Sequence, residues 1–240
     1  LRFRPRLAMQ LVGRRQTRIG RHPAVRARVV QPGESQAGIS KAVVRLPDSL
    51  ALDPDNAQAL CEFEDGTKDD LENHCPRGSV VGRARAATPL LDDPLVGDVY
   101  FVKNIRIDPR TGNPIRTLPM IVVALRGEIA INLVGESSTA RDGRLVNTFA
   151  AVPDAPVSRF NLNIKGGRNG ILAVTRNRRG ETNLCARPRR HIAEADFDGH
   201  NGRRFDRNVR VKTPCRKKAQ KGKARAKPRK GVSRRRAARA

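Results

Sequence analysis

The chain has no tryptophan, one tyrosine and seven phenylalanines among its 240 residues. A core must then be built from Val, Ile, Leu and Ala, and exposed rings for stacking on single-stranded bases are scarce. No Cys-x-x-Cys occurs, which removes the thioredoxin-type redox motif and the spacing of a zinc knuckle. No stretch approaches the ~20 apolar residues of a membrane-spanning helix, and no hydrophobic signal core stands at the front. The first residue is Leu1, as expected where an upstream segment has been removed or the chain is part of something longer.

Catalytic patterns are also lacking. Gly78-Ser79-Val80-Val81-Gly82 does not have the Gly-x-Ser-x-Gly spacing of a nucleophile elbow. Lys165-Gly166-Gly167-Arg168-Asn169-Gly170 has neither the Gly-Lys-Ser/Thr ending nor the following helix of a phosphate loop. It reads as a turn between strands, with glycine supplying a positive φ. His22, His74, His191 and His200 sit in polar, loop-like contexts and belong to no motif. The chain reads as a non-enzyme, with no catalytic residue, cofactor or metal site.

What the chain has in excess is positive charge, with 49 Lys and Arg against 23 Asp and Glu, a formal +26. Residues 216–240 hold 13 of those cations and no acid, so half the excess lies in about a tenth of the chain. Residues 1–215 are Arg-heavy and Ala-rich, as a GC-rich coding sequence gives by default, whereas the terminal run is also rich in Lys, whose codons are AT-rich. The terminal charge thus runs against that bias. A segment with so little apolar content and such self-repulsion is expected to be a disordered tail. Its candidate polyanion-binding residues are Arg216, Lys217, Lys218, Lys221, Lys223, Arg225, Lys227, Arg229, Lys230, Arg234, Arg235, Arg236 and Arg239.

One acidic stretch interrupts this background: eight acids lie between Asp53 and Glu72, among them Asp55, Asp65, Asp69 and Asp70. Carboxylates and turn carbonyls hold Ca²⁺ in other proteins, but the spacing here matches no EF-hand loop. A solvated loop, or a patch that pairs with the chain's own arginines, is the plainer use.

Four cysteines fall into two sequence-local pairs, Cys61 with Cys75 and Cys185 with Cys215. They read as two disulfides, with buried free thiols or a zinc site as the alternatives. Disulfides imply an oxidising, extracytoplasmic location.

Period-two alternation bounded by Gly, Pro, Asp and Asn predicts an all-β fold. Val25, Ala27 and Val29 alternate with Arg26 and Arg28. Phe160, Leu162 and Ile164 alternate with Asn161, Asn163 and Lys165, and Val209 and Val211 with Arg210 and Lys212. Met120–Leu125 and Ile129–Val134 are apolar on both faces and predict central strands joined by a turn near Gly127. Further strands are expected over 6–12, 39–46, 79–88, 95–103, 144–150 and 170–175. Residues 104–117 read as a long exposed hairpin loop, and one helical turn is expected over Ala57–Leu60, capped by Asp55 or Asn56. About a dozen short strands point to sandwich or barrel architecture, and the expected form is a β-sandwich: an Ig-like unit over 1–77 with the cysteine loop, and a larger sandwich unit over 78–215.

Cys75-Pro-Arg-Gly-Ser-Val-Val-Gly82, Ala86-Ala-Thr-Pro-Leu-Leu91 and Pro94-Leu-Val-Gly-Asp-Val-Tyr100 carry a resemblance. So do Leu118-Pro119, Leu125-Arg-Gly127, Thr148-Phe149, Val152-Pro-Asp-Ala-Pro-Val-Ser158, Gly166-Gly167 and Gly170-Ile-Leu172. Over roughly residues 40–215 the chain is similar to secreted all-β proteins of high-GC Gram-positive bacteria. The resemblance implies export, disulfides and a β-rich fold, often in tandem modules, and no activity. The expected role is a non-catalytic module at the cell surface or outside the cell, its basic tail on anionic wall polymer or membrane headgroups. The alternative is a basic protein that binds nucleic acid non-specifically.

Overall fold

The computed structural model describes residues 2–31 and 36–215. The expected basic tail, with all of its candidate residues from Arg216 to Arg239, lies outside them.

The fold is all-β. Fifteen strands form: β1 (Arg6–Val12), β2 (Ala24–Val30), β3 (Ile39–Arg45), β4 (Leu50–Leu52), β5 (Val80–Ala87), β6 (Leu95–Val102), β7 (Ile105–Ile107), β8 (Pro114–Arg116), β9 (Met120–Arg126), β10 (Ile131–Thr139), β11 (Leu145–Phe149), β12 (Arg159–Ile164), β13 (Leu172–Val174), β14 (Ile192–Gly199) and β15 (Arg204–Arg210). Eleven of them join in one sheet, in the order β1-β2-β12-β5-β6-β9-β10-β11-β3-β14-β15, with β7–β8 and β13–β4 as separate pairs. The single helical turn expected at Ala57–Leu60 does not form; a 3₁₀ turn occupies Pro54–Asn56 and a short helix Phe63–Gly66. Proline at the first helical position suits the earlier turn, since its missing N–H would have no partner there.

The sheet has two limbs, and β10 belongs to both. Ile131–Gly135 pairs with β9, and Glu136–Thr139 pairs with β11. The corner falls at Gly135, where a Cβ would come within 2.7 Å of the Phe149 ring and 2.9 Å of Ile121 Cγ1. Glycine is what permits the bend. At the other end the edges meet: Leu11 N donates to Lys212 O at 2.7 Å and Lys212 N to Met9 O at 3.0 Å. The sheet thus curls until nearly closed into a barrel, and a seam remains between β1 and β15. Closure of this kind satisfies backbone groups that free edges would leave unpaired.

An Ig-like sandwich over 1–77 is not marked off by a sheet of its own. β2 pairs with β12, and β3 lies between β11 and β14, so strands from either side of residue 78 are interleaved. Long-range antiparallel pairing completes β2 and β3, which have no local partners beyond β1.

One end of the barrel is plugged. Leu50 and Val174 of the β4–β13 pair are buried there, as are Leu11, Leu184 and Val211. The two disulfides, Cys61–Cys75 and Cys185–Cys215, are both formed. They belong to an oxidising environment. The first closes the acidic loop and the second ties down the chain after β15. Among the described residues, no helix is long and apolar enough to cross a membrane.

Candidate functional site

The seam carries a groove of about 510 Å³. β1, β2, β12 and β15 build it. The alternation that turns Val25, Ala27 and Val29 inward turns Arg26 and Arg28 outward. The register sets Gln10 and Asn163 on either side of Arg26, and Asn161 beside Arg28. β15 brings Arg207, Asn208 and Arg210 to the other lip, and Lys212 follows at the bridge to Gln10. Five cations and four amide side chains thus line the groove, with no carboxylate among them. Arg26, Arg207, Arg210 and Lys212 are exposed, and no ion pair or side-chain hydrogen bond engages any of the five cations among the described residues. Guanidinium groups held apart along pleated strands offer planar donors to phosphate or carboxylate oxygens. Cys215 follows Lys212 by three residues and lines a neighbouring pocket together with Gln10.

The other expected sites take different forms. The acidic loop is a docked element. Glu72 accepts two hydrogen bonds from Arg126, at 2.7 and 2.6 Å, and Arg126 also donates to Asp69 O at 2.8 Å. Asn132 donates to the carbonyls of Lys68 and Asp69. The Arg126 bonds hold the Glu72 carboxyl below the usual glutamate range. Asp65 pairs with Lys68, Glu62 with Lys103, and Asp70 faces His74. Asp53 pairs with His22 at 2.8 Å. Among the described residues, no three acidic, His or Cys side chains converge on a point where a metal would bind.

Gly167, in the Lys165–Gly170 cluster, has φ +78° and lies in a turn, as expected. Asn56 Nδ2 fastens that turn through the carbonyls of Gly167 and Gly170. Ser79 is fully buried and donates to Pro76 O.

The fold makes one pairing that the sequence did not suggest. Ser49 Oγ lies 2.8 Å from His191 Nδ1, and His191 Nε2 lies 2.8 Å from Leu184 O. A carbonyl only accepts, so Nε2 carries the proton and Nδ1 accepts from the serine. Both residues are 3 % exposed, and the ring has a carbonyl where a triad has its carboxylate. This arrangement pins the plug to the start of β14.

A second ion network lies on the other limb. Arg144 holds Glu194 through two bonds, at 2.8 and 3.0 Å, and Asp142 through a third at 2.7 Å, while Arg45 donates to Glu194 at 3.0 Å. These bonds, Arg144's first, keep the Glu194 carboxyl below its usual range. Asp196 is shifted upward, by burial and then by Asp206 directly across the β14–β15 ladder.

No protein-family model, curated protein or solved structure matches this chain.

Proposed function

We propose that this chain is a non-catalytic, exported module of the cell envelope, located at the cell surface or outside the cell, that holds anionic wall polymer along the barrel seam. The observation that carries this reading is the set of five cations that have no side-chain partner among the described residues, in a groove lined by no carboxylate. Elsewhere the arginines of this protein take acids when acids are in reach, as Arg126 and Arg144 do. Guanidiniums left unpaired on a rigid wall suit an external polyanion. The run 216–240 follows in sequence, and its 13 cations suit the same class of partner.

Nucleic acid is the second reading, because a phosphodiester backbone fits the same cations. Two disulfides weigh against it, since they belong to an oxidising compartment, where wall polymers are the nearer polyanions.

Cosedimentation with purified wall polymer tests the proposal. The full chain is compared with a seam variant (Arg26→Gln, Arg28→Gln, Arg207→Gln, Arg210→Gln) and with competing duplex DNA or anionic vesicles, at about 150 mM salt, where phosphate contacts weaken steeply. Retention on polymer that drops at least tenfold in the seam variant supports the reading. Equal retention of both proteins contradicts it. Tighter binding to DNA or to vesicles makes either of those the partner instead.

A further inference from the structure

Opposite the plug, the barrel is hollow. A cavity of about 230 Å³ opens among the inward faces of both limbs, and of its 23 lining residues only Thr88 is polar. Leu7, Ala27 and Leu162 contribute from one limb, and Ala42, Phe149 and Phe197 from the other. The loops 88–91 and 152–157 and Ile129 form its rim. Ala27, Ala42, Phe149 and Leu162 are only partly buried, so solvent reaches the interior. Leu90 and Ile129 stand at the rim with 66 % and 47 % exposure. An apolar surface of this kind gives water almost no hydrogen-bond partners and remains poorly hydrated.

Two features make it a receptacle rather than a packing defect. The strand count is one. About eight strands leave a barrel interior just wide enough for side chains or one small ligand, and eleven strands leave more. Alanines at 27, 42 and 86 fill little of that space. The other is its position, at the end where the described residues form no plug, with an exposed apolar rim around it.

We propose that this cavity takes one unbranched or prenyl-type hydrocarbon chain of an amphiphile, entering past Leu90 and Ile129 with its head group left in water. Size sets the class. A dry cavity of ~150 Å³ takes benzene, so 230 Å³ holds roughly nine carbon atoms by the same scaling. Pockets for drug-sized ligands run to about 300–1,000 Å³, which leaves no room for two chains. With Thr88 alone to offer a hydrogen bond, the site selects for hydrocarbon length and not for head-group chemistry.

The test uses the full chain and uncharged ligands, so that the basic groove plays no part. Binding of the n-alcohols from hexanol to hexadecanol is measured directly by isothermal titration calorimetry. Affinity is expected to rise about fourfold per added carbon, from ~0.8 kcal/mol per buried CH₂, and to level off near decanol. Ala27→Phe with Ala42→Phe fills the cavity and should weaken decanol at least tenfold. Leu90→Asp, at an exposed position where folding is safe, should weaken it severalfold and decides the matter if the filled variant does not fold. The four-residue seam variant should bind alcohols unchanged. Failure of decanol to bind, affinity that rises without levelling off, or equal binding by the folded Ala27→Phe/Ala42→Phe and Leu90→Asp variants would overturn the proposal.

Discussion

The two sides of this barrel use arginine in opposite ways. On β9, and on the wall made by β11, β3 and β14, Arg126, Arg144 and Arg45 are matched to Glu72, Asp142 and Glu194 in short contacts, those of Arg126 to Glu72 and Arg144 to Glu194 bidentate. At the seam, Arg26, Arg28, Arg207 and Arg210 face a groove that contains no acid. Both sides lie on the same kind of antiparallel sheet, so strand geometry does not account for the difference. Placement of carboxylates does. The acidic loop crosses to β9 and none of it reaches the seam, and the acids of β14 sit across from Arg45 and Arg144. One side uses its arginines for cohesion, and the other leaves them available.

The largest expected effect concerns the closure that makes the seam. Replacing Cys185 and Cys215 with serine removes a loop constraint worth about 4 kcal/mol in the chain-entropy model. The stretch around Lys212 that bridges β1 should loosen with it. A urea titration that lost less than ~1 kcal/mol would show the seam to be held by the strands alone.

The cohesive side comes next. Arg126→Met should cost about 2 kcal/mol, since Glu72 and the Asp69 carbonyl lose their donor. For a chain of this size that is a fall of about 4–8 °C in Tm. The folded-state carboxyls of Glu72 and Glu194 titrate below their ordinary range. The stability they add is complete above the unfolded glutamate value and is lost as pH falls through the lower folded-state values. Acid unfolding of wild type should therefore steepen in that window. Glu194→Gln should flatten the dependence, and an unchanged acid limb would show that these pairs contribute nothing.

The smallest effect has the opposite sign. Asp196 titrates above its ordinary range because it is partly buried and faces Asp206. The folded state holds its proton more tightly, so its contribution is favourable below the unfolded aspartate value and is lost as pH rises through the raised one. Asp196→Asn should stabilise the protein by a few tenths of a kcal/mol at neutral pH, with no gain in acid. Thermal melts at the two pH values check this.

Much of the architecture was legible in alternation. β1, β2, β5, β6, β9 and β12 lie within a residue or two of their expected positions, because branched aliphatics on one face and Arg or Asn on the other leave little ambiguity. β14 escaped. Its inward residues are Ala193, Ala195 and Phe197 and its outward ones Glu194, Asp196 and Asp198, and both alanine and acids are depleted in strands. The flanking partners β3 and β15 hold it extended regardless. The disulfides were legible from local pairing. The groove was not, because Arg26 and Arg207 are far apart in sequence and meet only when the sheet curls closed. Taken singly, Arg26 was a polar residue on the outer side of β2, and Arg207 an exposed one on the face it shares with Val209. The cavity was hidden for the same reason, since its walls come from strands at both ends of the chain.

Arginine footprinting tests the central claim most directly. The full chain is treated with phenylglyoxal, with and without purified wall polymer, and modification is read residue by residue by mass spectrometry. The account predicts that polymer shields Arg26, Arg28, Arg207 and Arg210 and leaves the slow modification of Arg126 and Arg144 unchanged. Shielding confined to residues 216–240, or spread evenly over the surface, would contradict it.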